Sequence, residues 1–82
     1  MDLTRAAELS PDVVKEVDEM FTYQPWDDDQ KMRGTKVREA LAAAVKVIIA
    51  NVPPCADRTV AIRGLRDSRM SCNSAITFRG RY

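Results

Sequence analysis

Eighty-two residues, 45% hydrophobic and 30% charged, leave room for one small domain. A chain of this length buries only about 60% of its unfolded surface, so self-association is expected to supply the missing core. The net charge of +1 conceals a division: residues 1–31 carry nine acids against three bases, residues 32–55 four bases against one acid, and residues 56–82 six arginines against two acids.

An acidic leader ahead of a basic remainder fits either an anionic ligand or acid-to-base contacts between subunits. No run approaches the roughly 20 apolar residues of a membrane span, and no charged-then-apolar leader is read. A soluble, cytosolic protein without membrane association is expected. Cys55 and Cys72 read as free thiols. On a helical pattern they lie roughly 24 Å apart, beyond the ~7 Å Cα separation that a disulfide tolerates.

Residues 1–9 are polar and read as a mobile lead-in. Ser10-Pro11-Asp12 then marks a helix start, with serine as N-cap, proline at the first helical position and an acid in the first turn. Val13, Val14, Val17 and Met20 form an apolar stripe over about three turns, too short to stand alone in water. The segment Phe21-Thr22-Tyr23-Gln24-Pro25-Trp26 interrupts it and holds three of the chain's five aromatics. Phe21 and Trp26 read as anchors that pin the short helix onto the helical hairpin, and Tyr23 as a stacking face. Asp27-Asp28-Asp29 reopens a helix as caps rather than as a metal site, since calcium loops need ligands spread over a longer, glycine-containing loop.

From about Asp28 to Asn51 the positions Val37, Leu41, Ala44, Val45, Ile48 and Val52 recur at spacings of three and four, over a helix roughly 36 Å long. Pro53-Pro54 ends it. A returning helix starts at Asp57 or Cys55-Ala56 and runs to about Phe78, with Ala61, Ile62, Leu65, Cys72 and Ile76 inward. In an antiparallel hairpin turning near residue 54, opposed positions sum to roughly 108, which sets Gly64 against Ala44 and Ser68 against Ala40. The expected fold is all-α: a short N-terminal helix followed by a long antiparallel αα-hairpin, assembled as a compact homo-oligomer. Residues 1–20 form the acidic leader and residues 21–82 the hairpin domain.

Catalytic machinery is not legible. Histidine is absent, the glycines are Gly34, Gly64 and Gly80, and the two cysteines lack zinc-site spacing. No enzyme activity, cofactor or metal is expected. Binding fits the residues better. Tyr23 can stack on a base, Arg33, Lys36 and Arg38 follow on the next helix, Arg58, Arg63, Arg66 and Arg69 stud the returning one, and Arg79 and Arg81 flank Gly80. Arginine suits phosphate because its planar fork donates two hydrogen bonds at once. The plainer alternative makes Arg63 and Arg66 solvated or intersubunit charges.

Several ordered segments give the chain a family likeness. They are Phe21-Thr22-Tyr23-Gln24-Pro25, Val37-Arg38-Glu39-Ala40, Asn51-Val52-Pro53 and Asp57-Arg58-Thr59-Val60-Ala61, then Leu65, Met70, Asn73-Ser74-Ala75-Ile76 and Arg79. At these spacings residues 21–79 resemble the helical hairpin domain of phage anti-CBASS cyclic-oligonucleotide sponges, a hairpin shared with sponges directed against Thoeris defence. The resemblance implies a phage protein in the cytoplasm of an infected bacterial host. It would sequester the cyclic di- or trinucleotide messenger of an immune synthase without cleaving it, so that the effector is never activated. It also implies a homo-oligomer, typically a hexamer, with pockets between subunits and no DNA partner. By position, Tyr23 would stack on a base and Arg38 would contact phosphate. Arg79 and Gly80 would serve a separate cyclic trinucleotide site. Arg58 and Asn73 also fall at motif positions, where their role is either ligand contact or structure.

The chain departs from the family pattern at Gln24, where histidine is common, at Trp26, where a second proline is common, and at Ser71-Cys72, where a tryptophan–alanine pair stands. The acidic leader is an addition. Alternatives are a sponge for a cyclic ADP-ribose Thoeris signal, weakened by the absence of the small sheet of those sponges, and a structural or protein-binding helical oligomer. Nonspecific nucleic-acid binding is disfavoured by the acidic leader.

Overall fold

The computed structural model describes residues 5–81, so the stretch 1–4 of the polar lead-in and Tyr82 lie outside the described residues. Three helices occur in order: α1 (Pro11–Phe21), α2 (Asp28–Asn51) and α3 (Ala56–Thr77), with no strand among the described residues. All three agree with the bounds read from the sequence to within a residue or two.

Local chemistry accounts for where each helix starts and stops. Ser10 is extended, and its Oγ accepts from the Val13 N–H at 3.3 Å ahead of Pro11. At the other end of α1, the Thr22 hydroxyl donates to the Asp18 carbonyl at 2.6 Å. α2 opens with a reciprocal capping box. The Gln30 N–H donates to Asp27 Oδ1 at 2.8 Å, and the Asp27 N–H donates to Gln30 Oε1 at 2.9 Å. Val52, extended ahead of Pro53-Pro54, ends α2. Cys55 precedes α3 without a side-chain cap. α3 closes in a Schellman arrangement: the Arg79 N–H donates to Ile76 O at 3.3 Å and the Gly80 N–H to Ala75 O at 2.9 Å. Arg79 takes the left-handed conformation (φ 55°) that glycine usually fills at that position.

The antiparallel pair α2–α3 holds the tertiary structure. Its seam is built from half-buried Val37, Leu41, Ala44, Val45 and Ile48 on α2 and Ile62, Leu65, Cys72 and Ile76 on α3. The open end of the hairpin is latched by Gln30, 5% exposed, whose Nε2 donates to the Ile76 carbonyl at 2.9 Å. Beside it, the Trp26 indole lies over Gly34, and Nε1 donates to Thr77 Oγ1 at 2.7 Å. A Cβ at Gly34 would overlap the Trp26 ring, so close packing explains a glycine inside α2. α1 keeps Val13, Val17 and Met20 half-buried, and its Glu19 pairs with Arg81 beyond the end of α3.

Several inward expectations are corrected. Phe21 is 83% exposed and is not the packing anchor expected of it among the described residues. Ala61 and Gly64 are exposed, and a Cβ at Gly64 would meet nothing within 4 Å. Gly64 therefore does not pack on Ala44, and Ser68 and Ala40 are likewise exposed rather than opposed in the seam. The reason is helical phase: Gly64 and Ser68 sit about a quarter-turn or more from the line through Ile62, Leu65 and Ile76, at about 100° per residue. Val52, read as the last member of the α2 stripe, is also exposed, at 37%.

Among the described residues no apolar side chain is fully buried. The radius of gyration is 16.9 Å, against about 12 Å for a compact domain of this length. The accessible surface is 6588 Å², against about 4,900 Å² for a folded monomer of 9.2 kDa. The isolated chain is a thin, 51 × 33 × 15 Å slab with half-covered apolar side chains.

Candidate functional site

In a hairpin whose opposed positions sum to about 108, Arg38 on α2 falls across from Arg69 on α3. The structure brings them together, with Arg66, around a groove of about 150 Å³ floored by Leu41, Ala42, Val45 and Leu65. Arg66 and Arg69 also border a wider cleft of about 610 Å³, lined with Arg63, Asp67, Met70 and Asn73. Both hollows lie along the same face of the hairpin. They combine cationic forks with an apolar floor, a pairing that suits a flat ligand carrying phosphate.

Pairing separates the arginines into two sets. Arg33 bonds Asp29 at 2.8 Å, Arg79 bonds Asp27 at 2.9 Å, and Arg81 pairs with Glu19. Arg58 donates to the Val52 carbonyl at 3.1 Å, and Arg5 is engaged as well. Arg38, Arg63, Arg66 and Arg69 make no hydrogen bond or ion pair among the described residues, and all four line the two hollows.

The residues singled out in the sequence do not form one cluster. Tyr23, 85% exposed, projects from the α1–α2 linker and belongs to neither arginine-lined hollow. Arg38 and Asn73 border adjoining hollows on the same face. Arg58 sits at the hairpin bend, tied to the carbonyl that ends α2. Arg79 and Gly80 lie at the open end, where Arg79 and Gln24 border a cleft with Thr77 and Phe78. A ligand that recruits Arg79 must take it from Asp27. That carboxylate is held below its ordinary value, first by the Gln30 backbone N–H and then by the Arg79 guanidinium.

In the sequence, Arg63, Arg66 and Arg69 count among the arginines suited to phosphate, with solvated or intersubunit charges as the plainer alternative for Arg63 and Arg66, and none of the three is named as a site residue. A signal for all three is nevertheless present: Arg63, Arg66 and Arg69 recur every third residue, and the hairpin register sets Arg69 against Arg38. No group of three or more potential metal ligands occurs among the described residues, and no helix is long and apolar enough to cross a membrane. No protein-family model matches the chain, and neither curated proteins nor solved structures yield a match.

Proposed function

We propose that this protein is a homo-oligomeric binding protein that sequesters a cyclic nucleotide signal, a phage sponge acting against CBASS defence in the cytoplasm of an infected bacterium. The observation that carries this reading is the convergence of Arg38, Arg66 and Arg69, all without carboxylate partners, over an apolar floor. Arginine forks answer phosphates, and the floor accepts the faces of bases or sugars. The resemblance of residues 21–79 to the sponge hairpin supplies the ligand class: cyclic di- and trinucleotides, bound and not cleaved.

Oligomer formation is part of the proposal. About 1,700 Å² of surface beyond that of a compact monomer is roughly twice what each partner buries in a standard interface. By helical phase, a strip of mostly small side chains on the side away from Arg38 and Arg66, with Lys36 and Asp57 also on it, offers a covering surface. There Ala40, Ala43, Val47 and Ala50 on α2 and Ala61, Gly64, Ser68, Ser71 and Ala75 on α3 are all exposed and uncharged. Tyr23, exposed and lining neither arginine hollow of its own chain, would meet ligand at a pocket completed by a second copy. Arg79 and Gly80 would serve a second class of site at the open end.

Isothermal titration with a panel of cyclic di- and trinucleotides and cyclic ADP-ribose tests this. The expected outcome is tight, stoichiometric binding of a di- or trinucleotide recovered intact. Arg38→Ala or Tyr23→Ala should weaken it at least tenfold while the oligomer stays assembled. Absence of binding across the panel would remove the proposal in favour of a purely structural oligomer. Disassembly by Tyr23→Ala would make that ring a packing residue.

A further inference from the structure

Three arginines of α3 point beyond the Arg38 groove. Arg63, Arg66 and Arg69 occupy one strip on successive turns, spanning about 9 Å along the helix axis. Like charges so placed repel one another, and the arrangement is unfavourable without counter-charge. Asp67 is the one acid lining the same cleft, and none of the three arginines pairs with it. Elsewhere in the chain Arg33, Arg79 and Arg81 have each found a carboxylate, so acids are available and this strip has none engaged. Asn73, half-buried one turn further on, adds an amide donor and acceptor to the same wall.

We infer that Arg63, Arg66 and Arg69, with Asn73, form an anion site for a ligand carrying two or more phosphate groups, continuous with the Arg38 groove through the shared Arg66 and Arg69. One phosphate can be gripped by two guanidinium forks. A row of three over about 9 Å, with Arg38 opposite, exceeds what one phosphate engages and accepts phosphates held apart. The assignment rests on the sponge reading for the identity of the natural ligand, though not for where its phosphates go.

The test is to follow the arginine Nε–Hε resonances of the full chain by NMR. The probes are inorganic phosphate, tripolyphosphate and a set of cyclic diadenylate, cyclic diguanylate and cyclic triadenylate. Tripolyphosphate and one or more cyclic nucleotides should shift the signals of Arg63, Arg66 and Arg69 and leave Arg58 in place. Single phosphate should bind at least tenfold more weakly than tripolyphosphate. Arg63→Ala, at an exposed position, should weaken the bound cyclic nucleotide at least tenfold. If a cyclic nucleotide binds with these three signals unmoved and Arg63→Ala at wild-type affinity, the site is wrong and the sponge reading survives. If tripolyphosphate alone moves them, the site stands and the sponge reading falls. Equal affinity for single phosphate and tripolyphosphate overturns the multi-phosphate assignment, and no binding of any probe overturns both.

Discussion

Gly34 and Trp26 show how much of this fold depends on single contacts at the open end of the hairpin. The indole occupies the space where a Cβ would stand, and its N–H is satisfied by Thr77. Gly34→Ala should therefore destabilise by about 1–3 kcal/mol, in spite of alanine's better helix propensity, as forced overpacking does. Denaturant unfolding measures it, and a neutral or stabilising result would show that the indole shifts without penalty. Gln30 latches the same end, and Gln30→Ala should cost about 1–3 kcal/mol by removing its buried bonds to the Ile76 carbonyl and the Asp27 N–H. Asp27 adds a pH dependence. Its folded pKa is lowered from an ordinary 3.8, so its stabilising contribution is complete above that value and is lost as pH falls through the lowered one. Asp27→Asn keeps a capping oxygen and removes the charge. The stability difference between it and wild type should be largest near neutral pH and shrink as pH falls through the lowered pKa. A difference that persists in acid would assign the effect to packing.

At the scale of elements, the helix limits are legible because each rests on local chemistry: Ser10-Pro11, the Asp27–Gln30 box and Pro53-Pro54 act within a few residues of themselves. Ser10→Ala should raise amide exchange over residues 11–21 while leaving α2 and α3 protected, since the cap is worth about 1 kcal/mol to a short helix. Equal loss of protection in all three helices would mean that α1 is part of one cooperative unit. Side-chain direction is less legible. An opposed-position sum fixes axial level and leaves rotational phase open, which is why it pairs Arg69 with Arg38 correctly yet also sets Gly64 and Ser68 in the seam. Phe21, at the last position of α1, fails as an anchor because its side chain stays exposed, and it is Trp26 that packs on Gly34. The roles of Tyr23, Arg58, Asn73, Arg79 and Gly80 come with the family resemblance, and within one chain these residues remain dispersed.

For the whole molecule, no apolar side chain among the described residues is fully buried, and the proposed assembly would therefore link folding to association. The melting temperature should rise with protein concentration, and light scattering should report a mass several times 9.2 kDa. A concentration-independent monomer would contradict the assembly and, with it, a Tyr23 pocket shared between copies. The central claim joins that assembly to a captured nucleotide, and native mass spectrometry of protein purified from cells carrying a cyclic-nucleotide synthase tests both together. The account predicts a discrete homo-oligomer that carries a stoichiometric cyclic di- or trinucleotide, released intact on denaturation and depleted by Arg38→Ala. An oligomer or monomer that emerges from such cells with no nucleotide bound would contradict it.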